Sequence, residues 1–522
     1  MESAAPSAKK RSAAEALDTG KSSTPAKERS SPEATIAKKT GSPSSQEPPP
    51  PSPPGAGEEE PNGGGGGGGV DHISGLPDAM LGDIITLLPT KDGARTQALA
   101  HRWRHLWRAA PLNLDTRHLR RRAGLPDDEE DEALAGVVTR ILSAHHGPGR
   151  VFRVPAHHLH DRAAAVDAWL HSPALDSLQE IEVCHLRRPP LDHPPPPPPS
   201  LFRFSATLAV ATICQCQISD EQRIPFLPQL RQLALVRVRV SEGSLHAMIS
   251  SSICPALECL FLDSCHGFRC VRINDSASLR SIGVRTDYFV EDLRRFRKLV
   301  VEDAPRLEKL LCTHRDKGFH LEVSVMAAPK LETLGSLSNW GFNRSINVFG
   351  STVFQRLHLV SFTSVVCSVK VLSVDFFSGD LDMVIDLMKC FTCLEKLYIK
   401  GSLSKSGEKN LWRRKHRHLI KCFDIHLKTL VLEKYEGIMS HVRFASFFLL
   451  NAKELEVVRL EVEEKRCNEK FFAEQRLKLE VEGWTFRGAP RVDFALNRCK
   501  CRIIHVNHVR DLAIADPFEC TC

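Results

Sequence analysis

Residues 230–235 read LRQLAL, residues 257–262 read LECLFL and residues 279–284 read LRSIGV. Each stretch carries aliphatic side chains at its first, fourth and sixth positions, and the last two are separated by one residue that points the other way. Alternation with a period of two is typical of a β-strand that buries one face. These stretches therefore predict three short strands that present the same face to one core.

The same aliphatic pattern recurs along most of the chain, and most neighbouring copies begin 22–33 residues apart. No repeat of this size can bury its own leucines, so the repeats must stack. We predict an α/β fold in which a transition and an irregular leucine-rich-repeat solenoid occupy residues 116–425, with a parallel sheet on the concave face and a helix, turn or irregular segment closing each repeat. The copies begin at Leu178, Leu230, Leu257, Leu279, Leu307, Leu331, Val369, Leu394, Leu427 and Leu455.

Polar side chains in or just after the predicted strands point away from the leucine core and are candidates for substrate binding. The five that we select are Arg237, His266, Arg285, Lys396 and Tyr398. The alternative for any one of them is an ordinary solvated side chain. Reversing the charge of such a residue, as in Arg285→Glu or Lys396→Glu, should leave melting nearly unchanged, whereas Leu260→Asp should unfold the repeats.

Residues 70–115 precede the repeats and predict three short helices. Apolar residues recur at helical spacing in the first helix, Pro89 ends it, and Trp103 and Trp107 lie one turn apart in the third. A segment this short cannot bury so much apolar surface by itself. We therefore expect both tryptophans to be left over for a docking face; the alternative is that they pack against the rest of the chain.

The order of residues in this segment resembles the F-box of plant F-box/leucine-rich-repeat proteins. The matching stretches are ISGLPDAMLGDIITLLPTK at 73–91 and RWRHLW at 102–107. The resemblance implies a three-helix F-box that docks a Skp-type adaptor, and through it the cullin scaffold of an SCF-type ubiquitin ligase. It places the adaptor-contacting and box-forming positions at Leu76, Pro77, Leu81, Ile84, Leu88, Leu99, Trp103 and Trp107.

Two residues depart from the F-box pattern, and both are smaller than the usual ones. Ala94 stands where a larger aliphatic residue is common, and Ala100 stands where the pattern usually has Ser. Smaller side chains remove contact area, so the resemblance leaves open how well the adaptor binds.

A second resemblance lies near the C-terminus. HLKTLVLEKYEG at 426–437, followed by VRFASFFLLNA at 442–452, is similar to the FBD module that follows the repeats in the same plant family. The resemblance implies an FBD-like module over residues 426–522, in which an apolar helix lies between two strand-like motifs. Such a module would cap the open end of the solenoid.

Residues 1–69 have a different composition. They are rich in Ser, Pro, Ala, Glu and Lys, and they end in seven glycines, Gly63–Gly69. This composition cannot bury enough apolar surface to offset chain entropy, so we predict a disordered low-complexity tail. The sequence has no apolar stretch typical of a signal peptide or a membrane span, and we expect a soluble protein of the nucleus, the cytoplasm or both.

The sequence offers no pattern for catalysis, a metal or a cofactor. Its 17 cysteines are scattered, which indicates reduced thiols, and Cys390-x-x-Cys393 has no matching second pair that would complete a zinc site. Neither a Gly-rich phosphate loop nor an HExxH or GxSxG motif occurs. We therefore predict no catalytic residues, no metal, no cofactor and no enzymatic activity.

With these features, the resemblance implies the substrate-recognition subunit of an SCF-type cullin-RING ligase, in which the F-box holds the adaptor and the repeats hold an unknown protein substrate. No motif indicates whether recognition needs a phosphate or a small molecule. Two alternatives stay open. One is nucleic-acid binding, because the net charge is +7 and residues 412–418 read WRRKHRH; the other is a repeat scaffold outside any ligase.

Overall fold

Fourteen parallel strands form the main sheet among the residues that this computed structural model describes. Those residues are 72–73, 75–119, 127–154, 162–183, 194–286, 296–314, 321–339, 346–379, 381–403, 425–479, 490–496 and 505–519, and all lie in one contact unit, Asp71–Cys522. With strands numbered in chain order, the main sheet contains β1 (Leu112–Asp115), β2 (Gly149–Val154), β3 (Glu180–Val183), β4 (Val210–Cys214), β6 (Gln232–Val236), β8 (Cys259–Asp263), β10 (Ser281–Thr286), β12 (Lys309–His314), β14 (Thr333–Ser338), β18 (Val371–Gly379), β19 (Lys396–Leu403), β20 (Thr429–Leu432), β21 (Val457–Val462) and β22 (Arg491–Leu496), adjacent in that order.

Each of the ten predicted repeats contributes one strand to this sheet, in sequence order. In the parallel register Leu233 lies beside Leu260, and Leu260 lies beside Ile282. All three side chains are at most 2% exposed. Burying one aliphatic side chain of this size stabilises a fold by roughly 1.5–3 kcal/mol relative to leaving it exposed. Because neighbouring strands repeat the same contact, the leucines form one continuous core, in agreement with the predicted parallel repeat sheet.

The main sheet extends into the predicted F-box at one end and into the predicted C-terminal module at the other. Strand β1 lies inside the segment predicted as the F-box, and its Leu114 pairs with Phe152 of β2. At the other end, β20, β21 and β22 fall within residues 426–522. The predicted C-terminal module therefore continues the sheet of the repeats.

A second sheet closes the middle repeats, where we predicted helices, turns or irregular segments. The sequence there alternates apolar and other residues, as in Val271 and Ile273 or Leu299 and Val301, and this period favours strands. These four side chains are at most 4% exposed and belong to the leucine core. The second sheet contains parallel β9 (Cys270–Ile273), β11 (Lys298–Val301), β13 (Glu322–Val325) and β15 (Ile346–Phe349), then antiparallel β16 (Thr352–Gln355) and β17 (His358–Ser361), while β5 (Gln217–Ile218) pairs with β7 (Arg239–Val240).

Helices close the remaining repeats and precede the sheet. Three lie where the sequence predicts them in residues 70–115, the second being extended by the 3-10 turn Thr96–Ala98. The described helices are α1 (Asp78–Leu87), α2 (Thr90–Arg95), α3 (His101–Ala109), α4 (Asp127–Ala144), α5 (Ala163–Leu170), α6 (Glu242–Ile249), α7 (Leu381–Cys390), α8 (Met439–Asn451) and α9 (Glu469–Lys478). Helix α8 is the apolar helix predicted between two strand-like motifs, and it follows β20 and precedes β21.

Cysteine chemistry differs from the prediction at one position. Ten described cysteines carry free thiols, whereas Cys214 is in a disulfide. The interpretation that all thiols are reduced is therefore wrong for Cys214, because scattered spacing in the sequence does not reveal which cysteines meet in the fold.

The predicted tail, residues 1–69, and the basic run at 412–418 lie outside the described residues. Within the described part of the chain, no three His, Cys, Asp or Glu side chains are grouped so that they could hold a metal ion. No described helix combines the length and apolar character that crossing a membrane requires.

Candidate functional site

One face of the main sheet packs on the leucine core, and the opposite face, which we call the front face, carries a second apolar cluster. Residues 505–519, which we call the C-terminal segment, lie on this face and include a short 3-10 helix, Val509–Ala513. Val506, Val509, Leu512 and Phe518 are at most 4% exposed, whereas Ile514 is 39% exposed. The cluster joins Val506, Val509, Leu512 and Phe518 of the segment to Ala234, Cys259, Phe261, Leu311, Tyr398 and Val431 of the strands.

Local sequence explains how the C-terminal segment fits the front face. At Gly283 in β10, a Cβ atom would lie 2.8 Å from the Leu512 side chain and 2.7 Å from the Phe261 ring, so only glycine leaves room for both. The 3-10 helix begins with a capping box, in which the His508 ring accepts from the backbone N–H of Arg510 and the Asp511 carboxylate accepts from the backbone N–H of His508. The cap fixes the direction in which the segment crosses the sheet.

Cations of the strands bind backbone oxygens of the C-terminal segment. The Arg285 guanidinium donates to the carbonyl of Val506 and forms an ion pair with Asp263 at 3.0 Å. The Lys309 ammonium donates to the carbonyl of Leu512 at 3.3 Å and to that of Ile514 at 2.5 Å. Burial lowers the pKa of Lys309 below its usual value.

The end of the segment is held through its side chains. Lys396 Nζ lies 3.0 Å from the Asp516 carboxylate, and the Tyr398 hydroxyl donates to the same carboxylate at 2.9 Å. The Tyr398 ring contacts Phe518 with centroids 5.5 Å apart. Burial, and then the Asp516 charge, raises the pKa of Tyr398, so this hydroxyl stays a donor at physiological pH.

A network of charges ties the same segment to the first strands. Arg153 lies 3.1 Å from Asp115, 3.2 Å from Glu180 and 3.1 Å from Glu182. From the segment, Arg510 pairs with Glu180 and His508 lies 3.5 Å from Glu182. Burial opposes ionisation of Glu182, but His508 and then the arginines outweigh it and lower the pKa of Glu182. The carboxylate therefore stays charged at neutral pH.

The structure separates the five predicted substrate-binding residues into two groups. Arg285, Lys396 and Tyr398 contact the C-terminal segment, and Arg285 is only 9% exposed. The prediction that Arg285 can be reversed without effect on melting is wrong in its premise, because this side chain is buried against Asp263. The backbone of Arg237 lies in the bend after β6 with φ of 53°, whereas the backbone of His266, after β8, forms a β-bridge with Arg239.

The bend at Arg237 is a feature of the repeat. The equivalent residues after β4 and β8, Gln215 and Ser264, have φ of 50° and 55°. A left-handed residue recurs at this position because each strand must turn sharply into the next part of its repeat.

The C-terminal segment was not predicted from the sequence. Its one local signal is the spacing of three residues between Val506, Val509 and Leu512, which is typical of one apolar face of a 3-10 helix.

The N-terminal helices bury their tryptophans. Trp103 and Trp107 are each 8% exposed and pack with Leu81, while Ile141 of α4 packs against the same cluster. The expectation that both tryptophans form an exposed docking face is wrong, because α4 supplies apolar surface that a local view of residues 70–115 does not count. His145 also closes the cluster: its Nε2 lies 2.9 Å from the Trp107 carbonyl, and burial lowers the pKa of His145.

A different apolar surface of the same helices stays exposed. Met80, Ile84 and Leu87 are 52%, 39% and 78% exposed, and their spacing of four and three residues places them on one face of α1. Leu99, before α3, is 69% exposed. We call these four residues the docking face. Of the other predicted adaptor-contacting residues, Pro77 is exposed, Leu76 and Leu88 are half-buried, and Leu81 is buried.

Ala100 is the N-cap of α3 and makes no side-chain cap, with φ of −160° and ψ of 166°. A serine there could accept a hydrogen bond from a free N–H of the first turn. We expect Ala100→Ser to raise the free energy of unfolding by about 1 kcal/mol, measured by urea denaturation with tryptophan fluorescence. The matched control is Ala109→Ser at the last residue of α3, and equal stability of the two variants would contradict this account of the cap.

Two protein-family models match this chain, one over the repeats and one near the C-terminus. The family described as "FBD-associated F-box protein At5g56370, LRR repeats" matches residues 166–399, and the FBD family matches residues 415–460. The chain is therefore similar to plant F-box/leucine-rich-repeat proteins with a C-terminal FBD module. The first matched range includes Arg285 and Lys396, while the docking face and the C-terminal segment lie outside both ranges.

The chain is similar to several Arabidopsis thaliana proteins. It is 28% identical over 257 residues to one named F-box/FBD/LRR-repeat protein At1g66290, covering 47% of this chain and 51% of the relative. It is 30% identical over 207 residues to another of the same type, At4g00315, covering 37% and 43%. F-box/LRR-repeat protein 13 is 25% identical over 338 residues, covering 62% and 68%. The match therefore spans about half the length of the first two curated relatives.

Proposed function

We propose that this protein is the substrate receptor of an SCF-type cullin-RING ubiquitin ligase, acting in the nucleus, the cytoplasm or both. The observation that carries the proposal is the docking face: Met80, Ile84 and Leu87 share one exposed face of α1, and Leu99 is exposed before α3, while the core of these helices is buried. Exposed apolar surface of this kind marks protein-binding sites. A Skp-type adaptor is the partner that the F-box resemblance and the family names support.

The helices that carry the docking face are fixed to the repeat sheet. The Thr90 hydroxyl of α2 donates to the carbonyl of Asn113 at 2.7 Å and accepts from the backbone N–H of Asp115 at 2.8 Å. The backbone N–H groups of His146 and Gly147 donate to the Arg108 carbonyl at 2.9 and 3.0 Å. These bonds would hold a substrate on the repeats at a set distance from the adaptor, and proximity to the activated ubiquitin is what such a receptor contributes.

In this proposal, ubiquitin transfer is catalysed by other subunits of the ligase. F-box/leucine-rich-repeat proteins are generally non-catalytic adaptors, and we propose the same for this chain. Its role is to raise the effective concentration of substrate lysines near the ligase.

The proposal is tested by purifying partners of the wild type beside Ile84→Asp/Leu99→Asp, with the proteasome blocked. Both positions are exposed, so the variant should fold normally while a charge in the interface excludes the adaptor. We expect adaptor and cullin only with the wild type, substrates with both forms, and a longer substrate half-life with the variant.

The matched control is Met326→Asp, which places the same charge on an apolar residue after β13 that is 54% exposed, a value between those of Ile84 and Leu99. It should retain the adaptor. A wild type that retains no adaptor would contradict the proposal and support the scaffold alternative, whereas salt-sensitive recovery of DNA or RNA in its place would support nucleic-acid binding.

A further inference from the structure

The front face holds the C-terminal segment in the way that a groove holds a peptide. Arg285 and Lys309 bind backbone carbonyls, which any sequence offers. Apolar strand residues pack against Val506, Val509, Leu512 and Phe518. Lys396 and Tyr398 both bind the carboxylate of Asp516. The contacts therefore combine general backbone recognition with selection for apolar, acidic and aromatic side chains.

Two observations separate this segment from the framework of the fold. Its apolar side chains belong to a cluster distinct from the leucine core. The main sheet is also paired strand to strand without it, since the segment adds no strand among the described residues. Removing the segment would therefore expose the front-face cluster but leave the backbone hydrogen bonds of the sheet and the leucine core in place.

We propose that the front face is a peptide-binding groove that the chain fills with its own C-terminal segment, and that the substrate displaces this segment with one of the same chemistry. The substrate segment would carry apolar residues three positions apart, followed by an acidic residue and an aromatic one, as in Val506, Val509, Leu512, Asp516 and Phe518. This inference rests on the proposed function, because the protein has a substrate to bind only if it is a ligase receptor.

Charge complementarity supports an acidic residue at the Asp516 end of the ligand. That end of the groove presents Lys309, Lys396 and Lys400, of which Lys400 pairs with Glu433 and lies 5.6 Å from the centre of the Phe518 ring. Against these cations the segment supplies the Asp516 carboxylate. A segment with Lys or Arg at that position would leave Lys396 facing a like charge. The other end of the groove presents Glu180 and Glu182, which face Arg510 and His508 of the segment.

A tethered segment competes with any external ligand at an effective concentration of millimolar order. The wild type should therefore bind a free peptide weakly, and a variant whose own segment is weakened should bind it tightly. The probe is a fluorescent synthetic peptide of residues 505–519, titrated with full-length protein and followed by anisotropy. The weakened form is Asp516→Ala/Phe518→Ala, which removes two anchors and leaves the groove intact.

We expect the weakened form to bind the peptide about ten-fold or more tightly than the wild type. Adding Lys396→Glu to it should abolish that gain, whereas adding Lys370→Glu should not, because Lys370 pairs with Glu332 away from the segment. A folded double variant that binds the peptide no better than the wild type would overturn the proposal.

If the double variant does not fold, hydrogen exchange of the wild-type chain decides. Amides of the C-terminal segment should exchange at least about ten-fold faster than those of β8 and β10, since the segment opens locally. Equal rates would show that it leaves only on global unfolding and would overturn the proposal. Neither measurement contains the adaptor, so failure here is distinct from failure of the proposed ligase role.

Discussion

Leu260→Asp is expected to unfold the repeat region. Leu260 is fully buried in β8, between Leu233 and Ile282 of the adjacent strands. Loss of a buried leucine costs about 2–5 kcal/mol, and a carboxylate without a partner in an apolar core adds several more. The sum approaches the whole stability of an ordinary domain, about 5–15 kcal/mol.

The measurement is thermal melting with size-exclusion chromatography. The matched control is Phe226→Asp, because Phe226 precedes β6 and is 55% exposed. It should melt near the wild type. If Leu260→Asp melts like Phe226→Asp, the assignment of the repeat leucines to the core is wrong.

Arg285→Glu is expected to lower the free energy of unfolding by about 3–5 kcal/mol, because it breaks a buried ion pair. The two side chains, Arg285 and Asp263, are 10% and 4% exposed. A glutamate there would face the Asp263 carboxylate and lose the contacts with Val506 and Asn507. Urea denaturation measures the change.

Arg280→Glu is the matched control for this reversal. Arg280 lies 2.8 Å from Glu308, but both side chains are solvated at 53% and 35% exposure, so water screens the new repulsion. Its melting should change little. Adding Asp263→Asn to Arg285→Glu should recover part of the lost stability, and equal stability of the two reversals would contradict the buried pair.

The repeat strands could be predicted from the sequence because the signal is local and repeated. Eight of the ten predicted motifs supply three large aliphatic side chains at fixed spacing, and the copies at Leu307 and Leu331 supply two; β8 and β10 follow from Leu257 and Leu279 directly. Stacking then fixes the parallel order, since parallel neighbours must share one core.

Four strands of the main sheet do not carry that signal, because a small residue replaces one aliphatic position. The positions are Ala109 before β1, Gly149 in β2, Ala211 in β4 and Ala489 before β22. At Gly149 the small residue is required, because a Cβ atom would lie 2.6 Å from the backbone of Leu175. Such strands are defined by their neighbours, and this information is not local.

The candidate sites depend still more on distant contacts. Arg285 meets Val506 across 221 positions of the chain, and no local pattern links the two. Trp107 is buried by Ile141 and His145, which belong to a helix and a turn beyond the predicted F-box. Exposure, which separates the docking face from the residues that hold the helices together, is a property of the complete fold.

The most direct test of the central claim is the affinity of purified full-length protein for a purified Skp-type adaptor, measured by titration calorimetry. We predict binding by the wild type and by Met326→Asp with the same dissociation constant. We predict at least about 100-fold weaker binding by Ile84→Asp/Leu99→Asp, with melting unchanged. Absence of binding by the folded wild type, or undiminished binding by the double variant, would contradict the assignment of the docking face.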